Sequence, residues 1–108
     1  MTALRIAPAT QEAIQVLAWS IRAERVRRRW SSAELAERVG VSRATISKLE
    51  HGDPGVAIGT FFEAAMVVGV PLFADDASRQ RLAAHKRAEL ALLPERARRP
   101  RKPIDDDF

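Results

Sequence analysis

Arg43, Ala44, Ser47 and Lys48 recur at helical spacing in the run RATISKLE, so a helix there gathers them on one face. A guanidinium, a methyl, a hydroxyl and an ammonium are short or charged groups. They suit the edge of a DNA groove and not a core. Ile46 and Leu49 fall on the opposite, inward face. Ser42, just ahead of the run, has the side-chain oxygen that caps a helix start. Upstream, Leu35, Ala36 and Val39 mark a shorter amphipathic helix, with Ser31 or Ser32 as its cap. Gly40 between the two supplies the left-handed residue that ends a helix without a Cβ clash, and Val41 then turns into the core. Ser31 to Glu50 therefore reads as a helix-turn-helix.

Other chemistry finds little footing. His51 and His85 are the only candidate general bases, and they fall in a turn and on a polar helix. His51 beside Asp53 gives two metal ligands with no cysteine or third histidine to close a site. The GDPG turn lacks the lysine and the strand-to-helix setting of a phosphate loop. Asp105 to Asp107 read as a solvated acidic terminus. No enzymatic activity, cofactor or metal is expected.

Composition agrees with a small binding module. The chain has 108 residues, enough for one domain with a modest core, and no cysteine, which fits a reducing cytosol. Neither an 18-residue apolar run nor a charged-then-apolar leader occurs, so the expectation is a cytoplasmic protein with no membrane partner. Eighteen Lys and Arg against fourteen Asp and Glu give a net charge of +4. The basic residues cluster at Arg22 to Arg29 and at Arg96 to Lys102.

Periodicity predicts an all-α chain of five helices without strands. Residues 1–9 read as a flexible N-terminus and 10–93 as the helical DNA-binding domain. Thr10 is the expected cap of a first helix running to about Arg29, with Ile14, Leu17 and Ile21 inward. The two helices of the motif follow, then a turn at HGDPGV. A fourth, strongly apolar helix runs from about Ile58 to Val68 and closes at Gly69. A fifth runs from about Ala77 to Leu93, where Pro94 stops it. The 94–108 tail, PERARRPRKPIDDDF, has three prolines and blocks of opposite charge, a composition that predicts disorder.

Residues 17–70 resemble the helix-turn-helix domain of the XRE family, which includes the phage lambda and 434 repressors. The matching stretches are IRAERVRRRW, SSAELAERVGVSRATISKLEHGDP and FFEAAMVVGV. The DPG turn and the basic LPERARRPRKP tail with its acidic end more narrowly resemble HipB-like antitoxins, which are encoded beside HipA-like serine/threonine kinase toxins. The resemblance implies a five-helix lambda-repressor-like fold that binds double-stranded operator DNA as a homodimer. It implies that Arg43, Ala44, Ser47 and Lys48 face the major groove, with Arg43 bidentate to guanine and Ala44 near a thymine methyl. Ser42 and Thr45 would bond phosphate oxygens. Arg25 and Glu50 correspond to a structural ion pair between the first and third helices. Two positions depart from the pattern. Ser32 stands where the family usually has a phosphate-bonding Gln, and Arg29 where many members have Gly.

Some residues admit two uses. Trp30 occupies a core leucine position, while Trp19 is open to a partner contact. The arginines of the first helix fit a solvated face or a phosphate track equally well. Leu82, Leu90 and Leu93, with parts of Phe61 or Phe73, offer apolar area for a dimer contact.

Two functions fit these readings, an antitoxin that represses its operon and holds a kinase toxin, or a stand-alone regulator with no toxin partner. The tail discriminates between them. Fifteen residues reach roughly 50 Å when extended, and a terminal Phe after three aspartates has no evident use in a solitary repressor. On a toxin, Phe108 would be the buried anchor and Ile104 the second, with Arg98, Arg99, Arg101 and Lys102 as charge contacts. A non-specific DNA arm is the competing use of the ARRPRK run.

Overall fold

The computed structural model describes residues 5–97, and among them the secondary structure is entirely helical. The elements are α1 (Pro8–Arg27), α2 (Ser32–Val39), α3 (Arg43–Glu50), α4 (Ile58–Val68) and α5 (Asp76–Ala91). The described residues divide into two compact units, with the boundary between Asp75 and Asp76.

α1 starts earlier than its periodicity suggests. Pro8 occupies the first turn, where its missing N–H costs no hydrogen bond, and Thr10 lies inside the helix and does not cap it. Residues 8 and 9 of the expected flexible N-terminus are therefore helical. The other end closes as a Schellman turn, with Trp30 N donating to Arg25 O (3.1 Å) and Arg29 N to Val26 O (2.9 Å). Arg29 takes the left-handed conformation at φ 60. Arg29 thus stands in the turn after α1, in the conformation for which many family members have glycine.

The α1–α4 unit closes around Ala18 and Ile21 of α1, Leu35 and Ala36 of α2, Ile46 and Leu49 of α3, and Phe61, Ala64, Ala65 and Val68 of α4. The four α4 residues fall at i, i+3, i+4 and i+7, so a single stripe carries that helix into the core. Alanines at 18, 36, 64 and 65 let the helices approach closely around the larger Ile21, Leu35, Ile46, Leu49 and Val68. Phe61 is buried here and offers no area to a dimer, contrary to the expectation from sequence. Phe73 is exposed, and its ring meets Phe62 edge-on at 6.3 Å.

α5 is 16 residues long, begins with Asp76 in its first turn and buries none of its side chains. Leu82 and Leu90 on it, and Leu93 just beyond, are exposed. No helix among the described residues is long and apolar enough to cross a membrane.

Candidate nucleic-acid interface

The candidate interface is built from α2, α3 and the turn between them. A reciprocal capping box sets the start of α2. Ser31 Oγ accepts from Glu34 N (3.0 Å), and Ser31 N donates to Glu34 Oε1 (3.3 Å). Ser31 is thus the cap, and Ser32 is the half-buried first residue of the helix. Gly40 ends α2 at φ 85 and ψ 32, with Gly40 N and Val41 N both donating to Ala36 O. A Cβ at Gly40 would meet nothing within 4 Å, so only the backbone conformation requires glycine there.

Ser42 caps α3. Its Oγ accepts from Thr45 N at 3.1 Å and pairs with Thr45 Oγ1 at 2.9 Å, which joins the two hydroxyls at the helix start. From there the helix has two sides with different uses. Ile46 and Leu49 are fully buried, and Glu50 is buried at the end of the helix. Arg43, Ala44, Ser47 and Lys48 are exposed together. The sequence reading brought these four onto one face, and the structure does the same. Arg43 lies at the N-terminal end, where helix polarity favours an approaching anion.

Glu50 is held from α1. Arg25 Nε reaches Glu50 Oε2 at 2.6 Å and Nη2 reaches Oε1 at 3.0 Å, a two-point fork between partly buried groups. The remaining guanidinium nitrogen, Nη1, donates to Trp30 O at 2.8 Å. The hydrogen bond to Glu50 raises the Arg25 pKa above its already high ordinary value, against the opposing effect of burial.

Contacts invisible in the sequence hold the other end of α3. His51 Nδ1 lies 2.6 Å from Ser47 O, and Asp53 Oδ1 accepts from Gly55 N at 2.7 Å. Both side chains of the suggested metal pair are therefore engaged in turn geometry. Gln11 Nε2 donates to Gly52 O at 2.8 Å across 41 residues. Gln15, one turn later, bridges His51 O (3.2 Å) and Trp19 Nε1 (3.1 Å), the amide orientation that satisfies both neighbours. Nothing in local spacing marks these glutamines as partners of α3; only the packing of α1 reveals it.

The basic cluster of α1 also resolves into distinct roles. Arg28 Nε donates to Val68 O at 2.9 Å and so satisfies a carbonyl at the end of α4. Its guanidinium also lies 5.4 Å from the Trp30 ring, and that of Arg38 lies 4.0 Å from it. Trp30 is accordingly half-buried, packed against the core on one side and flanked by cations, where a leucine would be wholly apolar. Arg27 pairs with Glu24. Trp19 is exposed, with its indole N–H directed to Gln15. The tail residues Arg98, Arg99, Arg101, Lys102, Ile104 and Phe108 lie outside the described residues.

Residues 21–73 match the helix-turn-helix family model, a span that runs from the middle of α1 to just beyond α4. No curated protein and no solved structure matches the chain. The matched segment is similar to XRE-type helix-turn-helix domains, the DNA-binding modules of transcription regulators.

Proposed function

We propose that this helix-turn-helix chain is a sequence-specific repressor that serves as the antitoxin of a HipA-like serine/threonine kinase. The observation that carries the DNA half is the exposed face of α3, where Arg43, Ala44, Ser47 and Lys48 stand together above a buried Ile46 and Leu49. In this reading α3 lies in the major groove. Arg43 takes a guanine edge, Lys48 a base or phosphate, Ala44 a thymine methyl, and Ser47 a polar base edge. Ser42, Thr45 and Ser32 approach phosphates at the starts of α3 and α2. Two copies bind half-sites about one helical turn apart, because a single short helix reads only a few base pairs. Leu82, Leu90 and Leu93 are the proposed apolar contact between copies.

The toxin half rests on the sequence of the tail, with its run of arginines, its prolines and Phe108 as apolar anchor. Deleting residues 94–108 should leave operator binding nearly intact and weaken the hold on the kinase. Pull-down of the kinase and rescue of growth, with full-length and truncated protein compared, test this directly. Equal rescue and recovery would exclude the tail as the toxin contact. Failure of the full-length protein to bind or neutralise any adjacent kinase would leave a stand-alone regulator.

A further inference from the structure

We propose that Gln11 and Gln15 of α1 are positioning residues for DNA recognition, because their amides hold the C-terminal turn of α3 and so fix how its exposed face is presented. This rests on the reading of α3 as the groove helix. The two side chains take up carbonyls of the turn that leaves α3, Gly52 O by Gln11 and His51 O by Gln15.

The turn is shaped to admit them. Gly52 is buried, with a left-handed φ of 76, and a Cβ there would lie 2.4 Å from the Gln15 amide. The left-handed conformation favours glycine, and any side chain there would push the Gln15 amide aside. Trp19 Nε1 in turn donates to Gln15, which orients the amide so that its nitrogen faces α3. The sequence HG at 51–52 and the pair of glutamines one turn apart on α1 thus form one unit.

The geometry explains why α3 needs this second hold. It has only eight residues, about 12 Å of helix. Buried Ile46 and Leu49 seat its inward face, and the Arg25–Glu50 fork secures its last residue. The glutamine bonds at residues 51–52, from an earlier part of α1, add a polar attachment just beyond that end and limit the remaining tilt. Bidentate base contacts tolerate displacements of only about 0.5 Å. A small pivot would therefore move Arg43 off its base edge while leaving general attraction to phosphates unchanged.

The test starts with selection of a preferred duplex from a randomised pool by the wild-type protein. Binding is then measured to that duplex and to a scrambled one for Gln11→Met, Gln15→Met and the double variant, which retain side-chain bulk but lose the amide. The double variant should lose about tenfold on the selected duplex, and each single variant about threefold. Affinity for the scrambled duplex and the salt slope should stay unchanged, with helix content by circular dichroism at the wild-type level. In an Arg43→Ala background the double variant should produce a smaller further loss of preference than in wild type. A merely structural role would weaken both duplexes alike; that outcome, or an undiminished preference, overturns the proposal. Should the double variant fail to fold, the single variants decide by the same ratio. A wild-type protein that selects no sequence would instead refute the groove-helix reading and the proposal with it.

Discussion

Arg25 and Glu50 meet edge to edge, with Nε at 2.6 Å from Oε2 and Nη2 at 3.0 Å from Oε1. The side chains retain only 12% and 6% of their exposure. They lie 25 residues apart, so the pair fixes the last residue of α3 to a helix that precedes the whole motif. The third donor site of the same guanidinium goes to Trp30 O, in the turn that closes α1. One side chain thus joins the end of α1, the entry to α2 and the end of α3.

Removing either partner leaves the other buried and unpaired. Glu50→Ala should cost about 3 kcal/mol and lower the melting temperature and DNA affinity together. Arg25→Lys keeps the charge but loses the fork, so it should fall between wild type and alanine. Thermal denaturation of the three variants checks the order, and an unchanged curve for Glu50→Ala would show the pair to be weak.

The pH response of that pair has a definite sign. A raised pKa means that folded protein holds the Arg25 proton more tightly than unfolded chain does. Its contribution is fully present below the ordinary arginine pKa and is lost only as pH rises through the still higher folded value. Stability measured in urea between about pH 7 and pH 10 should therefore show no loss attributable to Arg25. A wild-type decline in that window that is absent in Arg25→Met would contradict this.

Arg43→Ala should weaken binding to the preferred duplex by about 1 to 3 kcal/mol and relax choice at one base pair. The salt dependence separates this from a phosphate contact, since each lost phosphate contact lowers the slope by about one. Equal weakening of preferred and scrambled duplexes would remove Arg43 from base readout.

Arg29 and Gly40 form a matched test of backbone conformation. Arg29 holds φ 60 with a side chain, so Arg29→Gly should stabilise the protein by about 0.5 to 1 kcal/mol. Gly40 holds φ 85 in open space, so Gly40→Ala should destabilise by about 1 kcal/mol from conformation alone. Chemical denaturation of both variants decides it, and effects of the same sign would refute the account.

Local patterns in the sequence carried much of this architecture. The apolar spacing of α2 and α3, the glycine between them and the Ser42 cap are governed by neighbours within one or two turns, and all were legible. The choice between Ser31 and Ser32 was also present locally, in the Glu34 that completes a capping box with Ser31. Pro8 was a readable helix start, overshadowed by the equally plausible cap at Thr10. The bonds of Gln11 to Gly52 O and of Arg28 to Val68 O were not legible. Each spans about 40 residues, and a glutamine or arginine on a helix surface looks the same whether it meets water or a distant carbonyl. The Arg25–Glu50 pair spans 25 residues, and only the family resemblance made it visible.

The two sides of α3 answer to different demands. Ile46, Leu49 and Glu50 are committed to the protein's interior, whereas Arg43, Ala44, Ser47 and Lys48 are spread over its outer surface. Substituting the outer four should rewrite the preferred duplex with little change in how the chain folds. On the proposed reading the helix is a fixed handle with an exchangeable key, and surface changes at four positions should yield new specificities.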